Sequence, residues 1–199
     1  MPEKSKQKEK IFSSDKDFNQ LYPSAIRLLA QNHWTPLEVA RKAADFLAAE
    51  KKAKILDIGS GVGKFCLAAA YHKPQAFFYG IEQRKSLIDY AEKIKAQLQL
   101  NNVLFIEGNF TKINFKDYNH FYFYNSFYEN EEGTQKIDNS VEYSSELFTY
   151  YNHYLYKQLE KMPEGTRLAT YHILEEEMPE GYHVVGADLE NLLKFWEKI

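Results

Sequence analysis

The chain has 199 residues, 44% of them apolar, a formal net charge of −3 and a single cysteine, Cys66. That length suits one well-cored domain, and the lone cysteine excludes an internal disulfide and a cysteine zinc cage. The slightly acidic balance argues against generic nucleic-acid binding. With no apolar run of membrane-spanning length and a charged N-terminus, a cytoplasmic protein without membrane contact is expected.

Residues 1–12 are nearly all polar and read as a disordered charged tail, followed by a single domain over 13–199. Within it, 13–50 read as an N-terminal helical lid and 51–199 as an α/β core. Phe18, Leu21, Ile26 and Leu29 predict an apolar-faced helix interrupted by Pro23. Thr35-Pro36-Leu37-Glu38 reads as a helix start, with Thr35 capping and Glu38 completing a capping box. Leu37, Ala40, Ala44 and Leu47 continue it at helical spacing.

Strands and helices then alternate. Strands are predicted over 54–58, 77–81, 103–106, 120–124 and 167–174, and helices over 62–72, 84–100 and 142–161. The tail, 182–187 and 192–197, reads as an antiparallel pair. This order predicts a three-layer α/β domain with a mainly parallel sheet, whose ligand sits at the carboxyl ends of the strands. The acidic, aperiodic segment 129–139 reads as the mobile loop, and Glu175-Glu176-Glu177 as a solvated turn. The Tyr150, Tyr151, Tyr154 and Tyr156 stripe reads as core packing. Cys66 reads as a small buried residue, and Lys64 is expected to point to solvent. The six His are scattered without ligand spacing, so no metal site is expected.

The densest signal is Asp57-Ile58-Gly59-Ser60-Gly61-Val62-Gly63-Lys64, where a strand ends and a helix begins with no Cβ atoms in the way. A phosphate-cradling NTPase loop needs a glycine five residues before Gly63 and Ser or Thr after Lys64; Ile58 and Phe65 stand there. A nicotinamide-dinucleotide fingerprint needs Gly-x-Gly-x-x-Gly, and its third position is Lys64. Glu82 closes the second strand, where a carboxylate can take both hydroxyl hydrogens of a ribose. The third strand ends in Gly108-Asn109-Phe110, and the fourth runs into Asn125-Ser126-Phe127-Tyr128.

An acidic residue before Gly-x-Gly-x-Gly, with Glu82 downstream, resembles class I S-adenosylmethionine (SAM) dependent methyltransferases. The resemblance covers about 55–127 by motif and implies a three-layer α/β/α Rossmann-like methyltransferase sheet, with an antiparallel C-terminal pair. It implies SAM as cofactor, S-adenosylhomocysteine (SAH) as product, and a binding set of Asp57, Gly59, Ser60, Gly61, Gly63, Glu82, Gln83, Asn109, Phe110 and Asn125. Asn109 would touch the adenine amino group and Phe110 stack on the ring. Trp34, before the first helix, would cover the cofactor or the acceptor, and His33 is a candidate base.

Asn125 and Tyr128 are the expected catalytic residues, Asn125 aiming an acceptor amine and Tyr128 walling its channel. The amino-methylating Asn-Pro-Pro-Tyr motif matches only at its ends. The whole motif run is more similar to non-SET histone-lysine methyltransferases, whose Asn-Asn-Phe stretch lines a lysine channel; Ser126 departs from it, and a small bacterial relative is the expectation. The implied activity is methyl transfer to an amine-type acceptor, a protein lysine or a small amine. The alternative is a SAM-binding sensor or interaction module that does no chemistry.

Overall fold

The structure is a computed structural model describing residues 2–131, 133–173 and 178–199. Its strands are β1 (Lys54–Ile58), β2 (Phe77–Glu82), β3 (Val103–Glu107), β4 (His120–Phe123), β5 (Arg167–Tyr171), β6 (Tyr182–Asp188) and β7 (Leu193–Lys198). They form one sheet in the order β3-β2-β1-β4-β5-β7-β6. The first five run parallel, and β7 pairs antiparallel with both β5 and β6. The sheet is mainly parallel with an antiparallel C-terminal pair, as the alternating pattern implied. Strand order reverses at β1 and β4, so a crevice opens beyond their carboxyl ends.

Alternation along the buried strands divides the core in two. Ile55, Phe78 and Tyr122 face α5 (Leu37–Leu47), α6 (Lys64–His72) and α7 (Lys85–Leu98), with Ala43, Leu67 and Ile94 among the fully buried contacts. Leu56, Ile58, Phe121 and Phe123 face the opposite side, where α8 (Ser145–Glu160) lays down Tyr151, Leu155 and Leu159. Period-two burial in the strands and period-3.6 burial in the helices are the same patterns that made these elements legible. Among the described residues no helix is long and apolar enough to cross a membrane.

The N-terminal part differs from the sequence reading. Residues assigned to a disordered tail form α1 (Pro2–Ile11). Lys, Glu and Gln are good helix formers, and the following Phe12 stacks on Tyr71 at 4.0 Å, which anchors the segment. The single helix expected over 17–30 is instead three short ones, α2 (Asp15–Asn19), α3 (Ser24–Arg27) and α4 (Ala30–His33). The Thr35 capping box does not form. Pro36 occupies the cap position of α5, Thr35 Oγ1 lies 3.0 Å from Tyr122 Oη, and Leu37 N–H is capped from a distance by Asp15 Oδ1 at 3.0 Å. The Glu175-Glu176-Glu177 turn and the expected strand end at Leu174 lie outside the described residues.

Gly63 precedes α6 at φ +80°, and a Cβ there would sit 2.5 Å from Phe105 Cζ and 2.9 Å from Ala91 Cβ. Backbone strain and overpacking therefore add at this position. Gly63→Ala is expected to cost about 2–4 kcal/mol. The corresponding fall in Tm is roughly 5–15 °C by differential scanning calorimetry.

Candidate functional site

The glycine turn is built on one carbonyl. Ile81 O, at the end of β2, accepts both Gly59 N–H at 3.0 Å and Ser60 N–H at 2.9 Å. This holds the turn after β1 against its neighbour strand. Gly59 has φ +77°, and a Cβ there would lie 2.4 Å from Ser126 Cβ. Ser126 fits because it is small, and its hydroxyl donates to Ile58 O at 2.7 Å. At Gly61, φ +53°, a Cβ would meet nothing within 4 Å, so the backbone here faces open space.

That space is a cleft of about 710 Å³ at the carboxyl ends of β1, β2 and β4, within the size range of cofactor sites. Asp57, Gly59, Ser60 and Gly61 form its floor, and Glu82, Gln83, Phe110, Asn125, Ser126 and Tyr128 line its sides. His33 and Trp34 bring the N-terminal segment over it. Trp34 is buried and packs on Tyr22 at 4.7 Å. Asn125 stands at φ +40°, a backbone conformation that Asn tolerates better than most residues. Phe110 is buried against Phe127, with ring centroids 4.9 Å apart.

Two residues of the expected cofactor set stand apart from the cleft lining. Gly63 is a packing glycine under Phe105, as its sterics show. Asn109 is spent on the protein: its Nδ2 donates to Tyr151 Oη at 2.8 Å and Gln83 Oε1 at 3.0 Å, and its Oδ1 accepts Thr111 N–H. Lys64, expected in solvent, is 3% exposed. Its ammonium donates to Asp15 Oδ1 and, at 2.9 Å, to Asn19 Oδ1, with the Phe18 and Trp34 rings 5.6 and 5.8 Å away. Burial lowers the Lys64 pKa while Asp15 pulls it back up.

The ionisable groups of the cleft are strongly perturbed. Burial pushes Asp57 up to about 8, against the hydrogen bond it accepts from Cys66 Sγ at 3.5 Å. Burial also raises Glu82, while the Arg84 and Gly61 backbone N–H groups and the Arg84 guanidinium pull it down. Glu82 Oε2 accepts Gly61 N–H at 3.2 Å and Oε1 accepts Arg84 N–H at 2.9 Å, so the carboxylate is already aimed along the floor. Burial lowers His33, whose Nε2 is buried and has no hydrogen-bond partner among the described residues.

Arg84 is the residue that the motif reading missed. It lines the cleft, is 7% exposed, and pairs with Glu82, Glu129 and Asp138. The signal was present as the cation two residues after the strand-end acid, but its partners lie 45 and 54 residues downstream. The 129–139 loop, read as mobile, is thereby tied to the floor.

These features place a cleft at the switch point of a Rossmann-like methyltransferase fold. Residues 49–143 match the family model of a methyltransferase domain. Two curated relatives are tRNA (guanine-N(7)-)-methyltransferases. The one from Synechococcus sp. (strain JA-3-3Ab) is 43% identical over 54 residues, 27% of this chain and 23% of that protein. The one from Microcystis aeruginosa is 43% identical over 54 residues, 26% of its length. The chain thus spans about a quarter of the curated relatives it matches. Among solved structures it resembles TrmN from Thermus thermophilus (TM-score 0.58, 14% identity, 87% of this chain and 52% of that one). It also resembles an RNA methyltransferase from Salinibacter ruber in complex with SAH (0.56, 18%, 83% and 92%). At such identities the likeness shows the fold. The histone-lysine likeness of the motif run gains no support from these relatives.

The Asp15 carboxylate serves Lys64 and the start of α5 together. Asp15→Ala is expected to speed amide exchange across residues 15–34 by about tenfold, about 1.4 kcal/mol of local opening. Unchanged exchange by mass spectrometry refutes this double role of Asp15.

Proposed function

We propose that the chain is an active SAM-dependent methyltransferase that methylates a nitrogen of an amine-type acceptor on a protein or small molecule. The observation that carries this reading is the convergence of Gly61, Glu82 and Asn125 on one cleft from the ends of three different elements. The residues present fit the cofactor: an open backbone at Gly61, a carboxylate held in place at Glu82, and a buried acid at Asp57. Bound there, SAM supplies a methyl group on a positively charged sulfur, open to direct displacement.

The chain's own residues then divide the work. Glu82 receives the hydrogens of the ribose hydroxyls, and Gly61 lets the cofactor lie against main chain. Asp57 holds a proton at neutral pH and releases it when a cationic amino group comes beside it. Phe110 gives the adenine an apolar wall. The Asn125 side-chain carbonyl accepts a hydrogen from the acceptor nitrogen and aims its lone pair, and alignment is the main demand of such a displacement. Tyr128, 53% exposed, walls the rim where the acceptor enters.

The names of the curated relatives favour a second acceptor, a guanine nitrogen in RNA, and bring nucleic acid back among the partners that composition had set aside. Against it stands the net charge of −3, which gives no general phosphate-binding face. A non-catalytic SAM-binding module is separated from both by turnover: it binds SAM and produces no SAH with any acceptor.

Calorimetric titration with SAM and SAH is expected to show micromolar binding, about −8 kcal/mol. Glu82→Ala and Gly61→Arg each remove it, the first by loss of the ribose contacts and the second by filling the cleft. Retained affinity in both variants overturns the cofactor assignment. Because Asp57 starts near 8 and a bound cation lowers it, SAM binding releases a proton below that pH. Affinity accordingly rises with pH up to about 8 and levels off above it, by at most tenfold per unit, and Asp57→Asn flattens the profile.

A further inference from the structure

Among the described residues, the loop that follows β4 has a single 3-10 turn (Tyr128–Asn130) and no strand or α-helix up to Tyr143. Its order comes from side chains, and they meet at Arg84. The guanidinium is 6% exposed and reaches in three directions. Nη1 lies 3.4 Å from Glu82 Oε1, Nη2 donates to Glu129 Oε2 at 2.8 Å, and Nε donates to Asp138 Oδ1 at 3.3 Å. Nη2 also donates to Tyr143 Oη at 2.6 Å. That hydroxyl lies 3.1 Å from Glu129 Oε2 and 2.7 Å from Asp138 O, closing a ring of polar contacts around the cation. Glu129 Oε2 further accepts Ile137 N–H at 2.9 Å, folding the loop back on itself.

The two sides of this ring face the same cleft. Glu82 is the carboxylate assigned to the ribose, and Tyr128, Glu129, Gln135 and Ile137 form the wall toward the acceptor. Asp138 and Tyr143 stand behind that wall and do not line the cleft. At the far rim, Gln135 Oε1 accepts Asn32 Nδ2 at 2.6 Å, so the docked loop also meets the N-terminal segment.

We infer that Arg84 is a positioning residue that couples the ribose carboxylate to the acceptor-side wall, so that cofactor grip and loop docking strengthen or fail together. A single buried guanidinium shared by Glu82 and Glu129 makes the coupling reciprocal, as linkage requires. Fixing Glu82 on a ribose fixes one side of Arg84, and the loop then docks against a cation that no longer moves. Undocking the loop removes Glu129 and Asp138 from the guanidinium, leaving its contact with Glu82 without the partners that fix it. The inference rests on the cofactor reading above and adds a route by which cofactor occupancy prepares the acceptor side.

The test acts on the loop from outside the cleft. In Tyr143→Phe/Asp138→Ala, amide exchange over 129–143 is expected to speed up at least tenfold without cofactor. SAM is expected to dissociate severalfold faster, with KM for SAM raised and kcat nearly unchanged. Arg84→Met is expected to produce both effects more strongly, and Arg84→Lys to restore part of each. Unchanged exchange in these variants overturns the docking role. Faster exchange with unaltered SAM dissociation overturns the coupling while leaving cofactor binding intact. No SAM binding by the wild-type protein overturns the cofactor reading, and the coupling with it. Circular dichroism and Tm of each variant separate these outcomes from loss of the fold.

Discussion

The carbonyl of Ile81 is the constraint on which the rest of the site depends. By accepting two consecutive N–H groups from the glycine turn, it forces the chain leaving β1 to cross toward β2 before entering α6. Two donors on one buried carbonyl satisfy backbone groups that a turn at this depth otherwise leaves unpaired. The same crossing brings Gly61 within 3.2 Å of Glu82, so turn and carboxylate are placed by one event. Larger side chains at Gly59 or Gly63 would push the turn off that acceptor from either side.

What the sequence revealed was the part governed by local periodicity. The strands from β1 to β5 and helices α5 to α8 announced themselves by burial spacing, and Gly59, Gly61, Glu82 and Asn125 by their place at element ends. Phe110 and Trp34 also line the cleft, as their positions suggested. The rest depended on long-range contacts. Arg84 gained meaning from Glu129 and Asp138, and the Asn109 amide is held by Tyr151, 42 residues away. Lys64 looked like a surface residue because nothing nearby in sequence reveals Asp15 and Asn19 above it. Thr35 offered a capping pattern that tertiary structure overrode, turning its hydroxyl toward Tyr122.

Acidic segments are commonly read as solvated, and here that expectation failed for a physical reason. Glu129 exchanges most of its water for the guanidinium that Asp138 also meets, and burial, which disfavours the Arg84 charge, is outweighed by Glu129 and Glu82. Beyond the 3-10 turn at Tyr128–Asn130, the described residues of the loop therefore have order without a strand or α-helix. Charge placement substitutes for the hydrogen-bond ladder that would hold a strand.

The segment containing α2 to α4 is joined to the turn it covers. Besides Lys64, Tyr22 donates its hydroxyl to Val62 O at 3.0 Å, inside the glycine turn itself. Thr35 touches Tyr122, whose ring stacks at 3.8 Å on Phe65 of α6. Roof and floor thus belong to one cooperative unit, and lifting the roof exposes a carbonyl of the floor and a cation beneath it. Opening the N-terminal segment therefore unpairs groups of the floor as well as its own contacts.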